Sequence, residues 1–251
     1  MQNSILSQLQ VNKDIPVPLY YQLEQSLLRL IKKNVLSEGD LIPSEIDIST
    51  RLNISRPTVR QALNSMVESG YLVRNRGIGT FVTKPKITDQ FFIKLESYND
   101  EMLRQDLVPK TKVLSFKKIR GIERINEKLN LDYSKSLIHL ERLRYADDTP
   151  IVYLDTYLPY DEFSELLSFN LEQHSLYDLM KTKAGYDVEH AQRYIESVLA
   201  KEHEAKLLEI DVNDPICLTK STSYVKDNKP VEYSVARYRG DKTKFLVEIY
   251  K

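Results

Sequence analysis

Two arginine pairs have the spacing to hold an anion. In the run Leu140-Glu141-Arg142-Leu143-Arg144-Tyr145, alternation along a strand puts Arg142 and Arg144 on one face, about 6–7 Å apart and beside apolar Leu140. Two guanidiniums on the inner face of a sheet are costly unless something negative neutralises them. A phosphate does this well, because a guanidinium grips it with two parallel N–H bonds. A carboxylate such as Asp155 would serve equally, so both readings stand at this point. The second pair, Arg56 and Arg60, continues four residues on to Asn64, the repeat of one exposed helix face. Few acidic residues lie near it in the sequence, which argues against a mere surface ion pair.

The other chemistries find no support. The four histidines, at 139, 174, 190 and 203, have neither HxxxH nor HxH spacing, so no metal site is expected. Cys217, in the apolar run ICL, reads as inert core, and a single cysteine points to a reducing, cytoplasmic setting. There is no glycine-rich phosphate loop, nucleophile elbow or Cys-His arrangement, and no cofactor is expected. The N-terminus lacks a basic start followed by an apolar core, and no run reaches about 18 apolar residues, so neither export nor a membrane span is expected.

The elements that must carry these arginines emerge from charge and periodicity. The 251 residues hold 36 Lys+Arg and 36 Asp+Glu, yet residues 51–86 carry seven basic side chains against Glu68 alone. Residues 1–86 have a net excess of four positive charges and residues 87–251 an equal negative excess. That asymmetry predicts a polyanion partner for the first part, because clustered Lys and Arg create a local potential that a zero total conceals.

Pro16 and Pro18 end an N-terminal arm (1–15), and Leu19, Leu23, Leu27, Leu30 and Ile31 then trace one face of a helix reaching about Val35. Pro43-Ser44-Glu45 opens a two-turn helix with Ser44 as N-cap and Ile46, Ile48 and Leu52 expected inward. Ser55 caps a third helix, with Pro57 in its first turn and Val59, Ala62, Leu63, Met66 and Val67 as its inner face. Two short helices joined by a tight turn, the second with arginines in its first turn, is how a helix-turn-helix enters a major groove. Residues 71–74 and 80–82 read as strands around a tip, Asn75 to Gly79, completing a winged helix over 16–84.

Here PSE at 43–45, SRPTVRQAL at 55–63 and RGIGTFV at 76–82 resemble the signature of GntR-type bacterial transcription regulators. The resemblance implies DNA contacts from Ser44, Glu45, Ser55, Arg56, Pro57, Thr58, Arg60 and Asn64, and from the wing residues Arg76, Gly77, Gly79 and Thr80. Arg56 and Arg60 would reach bases or phosphates, Thr58 a phosphate, and Gly77 the minor groove. Ile46 stands where many members carry a further DNA-contacting arginine.

Lys84-Pro85-Lys86 begins a linker (85–97). Beyond it, strands are expected at 113–119, 137–145, 151–158, 188–198, 216–225, 230–239 and 245–250, with helices at 123–129, 175–183 and 201–208. Asp147-Asp148-Thr149-Pro150 and Asp227-Asn228-Lys229-Pro230 are turn chemistry between strong strands, so an antiparallel sheet and an α+β class follow.

The segments at 140–159, 175–180, 229–241 and 244–245 resemble the effector-binding UTRA domain of the HutC subfamily, here 98–251. That resemblance implies a chorismate-lyase-like fold and a sugar-phosphate effector. Arg142 and Arg144 would hold the phosphate with Ser175 and Tyr177, Tyr98 and Asn99 would close over the ligand, and Glu232 and Tyr238 would face the sugar. Read from chemistry alone, Glu232 is otherwise a solvated turn carboxylate, and Tyr98, Tyr177 and Tyr238 are core aromatics. Leu154 and Asn99 replace, respectively, an acidic residue and a serine common among relatives.

The expectation is a homodimeric repressor on palindromic double-stranded operator DNA, released by a small anionic effector. An enzyme acting on a phosphorylated sugar or aromatic acid through the second module is the rival, and no residue pair has base-plus-nucleophile spacing for it.

Overall fold

The computed structural model describes residues 2–89 and 97–247, which divide into two compact units, 1–86 and 87–251. The first contains α1 (Gln2–Gln8), α2 (Leu19–Lys32), α3 (Glu45–Leu52), α4 (Arg56–Glu68), β1 (Leu72–Asn75) and β2 (Gly79–Val82). Its core gathers Leu23, Leu27 and Leu30 of α2, Ile48 of α3, and Val59, Ala62, Leu63 and Met66 of α4. The arm contributes to this core, since Ile5 and Leu9 are 3% and 2% exposed. Ser44 and Ser55 cap α3 and α4, accepting from the amides of Asp47 and Thr58. β1 and β2 pair antiparallel from Leu72↔Val82 to Asn75↔Gly79, with a bridge from Leu41 to Phe81 at their side.

Two details depart from the sequence reading. α2 ends at Lys32 rather than near Val35, because Asn34 takes a left-handed backbone, φ 53°, that turns the chain. Ile46 does not face inward. It is 55% exposed, because α3 buries a narrow stripe through Ile48 and turns its second residue to solvent.

The second unit contains β3 (Ile87–Asp89), α5 (Tyr98–Arg104), β4 (Pro109–Ile119), α6 (Glu123–Lys128), β5 (Leu137–Ala146), β6 (Thr149–Pro159), α7 (Tyr160–Phe163), α8 (Leu176–Thr182), β7 (His190–Leu199), α9 (Glu202–Leu208), β8 (Pro215–Val225), β9 (Lys229–Arg239) and β10 (Thr243–Phe245). Six strands form one antiparallel sheet in the order β4-β5-β6-β9-β8-β7. Both turn signals lie at hairpins: Asp147 (φ 54°) follows β5, and Asp227 and Asn228 (φ 62° and 55°) follow β8. β3 falls within the stretch read as a linker and pairs in parallel with β10. The strand expected at 245–250 is the shorter Thr243–Phe245, its first residues drawn into that pairing, and residues 248–250 lie outside the described ones. α5 and α7 were not expected, each being under two turns long and so carrying too little periodicity to register.

One face of the sheet carries two apolar clusters. One gathers Ile138, Leu140, Leu158 and Val231 with Leu176, Leu179 and Met180 of α8. The other gathers Val152, Leu154, Ala236 and Tyr238 with Tyr98 and Met102 of α5. On the opposite face Leu143 and Tyr153 pack with Ala205 and Leu208 of α9.

Candidate functional sites: an arginine-bearing helix and wing, and a cationic cleft

In the first unit, α4 turns Arg56, Pro57, Arg60 and Asn64 outward on the side away from its buried face, and the hairpin tip exposes Arg74, Arg76 and Gly77. Gly77 has φ +78°, and a methyl group added to its Cα would meet no atom within 4 Å, so its demand is conformational. Gly79 has φ +150°, and a side chain there would also meet Leu41. Thr58 is hydrogen-bonded through its hydroxyl to Ser55 at 2.7 Å.

The expectation that Arg56 and Arg60 have few acidic partners is corrected by the fold for Arg60. Glu45, fifteen residues away in sequence, accepts from Arg60 Nε at 3.1 Å and Nη2 at 3.0 Å, and also lies 3.6 Å from Arg74 Nη2. One carboxylate in the first turn of α3 thus ties together an arginine of α4 and one of β1. The hydrogen bond and charge of Glu45 raise the Arg60 pKa further above its ordinary value. An exposed pair of this kind adds little stability, so its effect is on where the guanidiniums point.

In the second unit, all eight residues assigned to an effector line one cleft: Tyr98, Asn99, Arg142, Arg144, Ser175, Tyr177, Glu232 and Tyr238. The cleft is narrow, with about 70 Å³ of free volume, and it is partly open to solvent. The strand register explains the convergence. Arg144 pairs across to Val152 and Val152 to Tyr238, while Arg142 pairs with Leu154 and Leu154 with Ala236, so all these side chains share a face. Glu232 pairs with Ser223 on the neighbouring strand. α5, capped by Ser97, brings Tyr98 and Asn99 to the rim, and α8, capped by Ser175, brings Tyr177.

Arg142 is 3% exposed and donates through Nη2 to Thr156 Oγ1 at 3.2 Å. Burial and the like charge of Arg144 lower its pKa to about 9, which still leaves it cationic at neutral pH. Asp155 does not neutralise it. That carboxylate points to the opposite face, 2.8 Å from both His139 Nε2 and Arg237 Nη1. Among the described residues neither Arg142 nor Arg144 makes an ion pair, and the Nε of each is buried without a hydrogen-bond partner. Arg144 stacks over the Tyr98 ring, 5.0 Å from its centroid.

Glu232 is no solvated turn carboxylate. It is 4% exposed and accepts from Tyr177 OH at 2.6 Å and Ser223 Oγ at 2.8 Å. Burial and the adjacent carboxylate push the Tyr177 hydroxyl pKa far up, so it stays protonated and donates. A buried cationic end and a buried acceptor end therefore face one cavity. Thr111, Glu172, His174, Ser221 and Ser234 also line it and were missed. Ser234 could have been found, since it lies two residues along the same strand face as Glu232.

Family models match both units: "Bacterial regulatory proteins, gntR family" over residues 19–82 and "UTRA domain" over 104–244. The chain is 31% identical to the HTH-type transcriptional repressor NagR of Bacillus subtilis over 95% of this chain and 97% of that one. The chain belongs to the UTRA-bearing GntR regulators, the HutC subfamily. It is also 27% identical to the mannosyl-D-glycerate transport/metabolism system repressor MngR of Escherichia coli, over 92% and 95% of the two chains. The crystal structure of PhnF from Mycobacterium smegmatis superposes with a TM-score of 0.78 at 26% identity, covering 90% of this chain and 98% of that one. Like other GntR regulators, the protein binds operator DNA and a small-molecule effector and is not an enzyme. No helix among the described residues is long and apolar enough to cross a membrane, and none of their His, Cys, Asp and Glu cluster to hold a metal.

Proposed function

We propose that this GntR regulator is a cytoplasmic homodimeric repressor whose cleft takes a sugar phosphate, and that occupancy releases it from a palindromic operator. The observation that carries the reading is the buried, unpartnered edge of Arg142 and Arg144. A buried polar group left unsatisfied costs roughly 1–3 kcal/mol, more when charged, and a phosphate would supply both acceptor and charge. Ser175 and Tyr177 complete the phosphate end, Tyr98 and Asn99 cover the ligand, and Glu232 and Tyr238 meet its hydroxyls. Relatives named as repressors of mannosyl-D-glycerate and fructoselysine systems support a carbohydrate-derived ligand.

On DNA, Arg56 and Arg60 read base edges or phosphates from α4, helped by Ser44, Glu45, Ser55, Pro57, Thr58 and Asn64, while Arg76, Gly77, Gly79 and Thr80 place the wing. A coupling of only about 1–3 kcal/mol between effector and operator is needed. Because β3 is paired to β10 within the effector unit, a ligand gripped by Tyr98 and Asn99 acts first on that unit, which begins just after Lys84-Pro85-Lys86. A thermal-shift screen of the full chain against phosphorylated sugars and their unphosphorylated parents tests the site. Stabilisation by phosphorylated members alone is expected, and stabilisation by the parents to the same extent would contradict it.

A further inference from the structure

The N-terminal arm is built into the reading unit rather than hung from it. Ile5 of α1 and Leu9 just beyond it enter the core, and the Gln10 backbone amide donates to Ser26 Oγ of α2 at 3.2 Å. The Gln22 side chain of α2 then grips the chain that follows. It accepts from the Asn12 amide at 2.7 Å and donates to the carbonyls of Asn12 and Val17 at 2.8 and 2.7 Å. Lys13, inside that clamp, reaches 40 residues along the sequence and donates through Nζ to the Asn53 carbonyl at 2.7 Å.

Asn53 lies in the turn between α3 and α4. It caps α3 in a left-handed backbone, φ 51°, and only Ile54 and Ser55 separate it from α4. Asparagine visits that conformation more readily than most residues but is not confined to it, so the turn depends on what its carbonyls bond. The Ile54 carbonyl accepts from Ser49 Oγ of α3 at 2.7 Å, a donor from within the motif. The Asn53 carbonyl takes its donor from the arm.

We propose that the arm is a brace for the recognition helix: Lys13, held in place by Gln22, fixes the turn and so the angle at which α4 presents Arg56 and Arg60 to the operator. The inference rests on α4 being the reading helix, as proposed above. Lys13 is a positioning residue in this account, with no contact to DNA of its own. Preorganising the turn removes an ordering cost that binding would otherwise meet. The bond lies at the surface, where its loss leaves no buried group unsatisfied, so the fold keeps its stability without it.

The test measures anisotropy of a labelled duplex, selected by the full-length chain from a random library, over a range of salt. Lys13→Met keeps the aliphatic stem and removes the donor. It is expected to raise the operator dissociation constant about fivefold, the loss of one ordinary hydrogen bond, with the melting temperature and the slope of log K against log salt unchanged. Lys13→Arg, which restores a donor, is expected to recover the affinity. Gln22→Leu should cost a similar factor, and the double variant no more than the larger single loss, because both act through one bond. Arg60→Ala, run alongside, separates two failures. Loss with Arg60→Ala but none with Lys13→Met overturns the brace and leaves the reading helix standing; loss with neither overturns both. A salt slope reduced by roughly 0.9 in Lys13→Met makes Lys13 a phosphate contact and overturns the positioning role. Losses that simply add in the double variant are two unrelated effects and overturn it as well. If Gln22→Leu fails to fold, the affinity and salt slope of Lys13→Met decide.

Discussion

Arg142 stays cationic at neutral pH although burial and Arg144 both oppose its charge, so an anionic ligand relieves a cost the free protein already bears. Arg142→Ala is expected to weaken sugar-phosphate binding about 100-fold, roughly 2.7 kcal/mol, in calorimetric titration, with DNA affinity unchanged. The pH dependence has a definite sign. A guanidinium with its pKa lowered to about 9 is charged below that value and loses charge above it, so affinity for the phosphate should be steady from pH 7 to 8 and fall as pH rises past 9. Affinity that rises over that interval would contradict the assignment. In the reading unit, Arg60→Ala is expected to abolish operator binding in a mobility-shift assay. Glu45→Gln removes one negative charge from a basic face and unties Arg60 and Arg74. It should raise affinity for random duplex about threefold while narrowing the preference for a selected operator, and an unchanged preference would show that Glu45 does not orient them.

At the scale of elements, each strand of the central sheet divides its chemistry between two faces. On the face away from the cleft, Asp155 joins His139 and Arg237, and Arg237 Nε bonds Glu204 of α9 at 2.8 Å. Burial alone would raise the Asp155 carboxyl, but the His139 hydrogen bond and the Arg237 charge outweigh it and hold the pKa below its ordinary value. A depressed carboxylate contributes stability above its unfolded pKa and loses it as pH falls through the folded one. Asp155→Ala should therefore lower the melting temperature at pH 7, by about 1–3 kcal/mol in stability, and the difference from wild type should shrink below about pH 4. α3 and α4 of the reading unit were legible because caps, proline and apolar spacing all agreed at Ser44, Ser55 and Pro57, whereas α1 lies in the stretch read as an arm, and the pairing of Arg142 with Arg144 followed from alternation alone. What stayed hidden depends on partners distant in sequence. Glu45 reaches Arg60 only once α3 and α4 pack, Asp155 faces away from the arginines only once β5 and β6 are in register, and Glu232 is buried only because Tyr177 arrives on α8.

For the whole molecule, the balance of 36 positive and 36 negative side chains conceals an excess of four positive charges on residues 1–86. Operator binding should therefore weaken steeply with salt despite a pI near 6.9, with a slope of roughly −0.9 in log K against log salt for each phosphate neutralised. A flat salt dependence would contradict a basic reading face. The central claim joins the two units: an anion on Arg142 and Arg144 releases DNA held by Arg56 and Arg60. The most direct measurement is fluorescence anisotropy of a labelled duplex, selected by the protein itself from a random library, titrated with sugar phosphates and their unphosphorylated parents. Wild type should release the duplex on addition of a phosphorylated sugar alone, and Arg142→Ala should bind the same duplex equally well yet hold it throughout. Release from Arg142→Ala at the wild-type concentration, or retention by wild type after a sugar phosphate has been shown to bind it, would contradict the account.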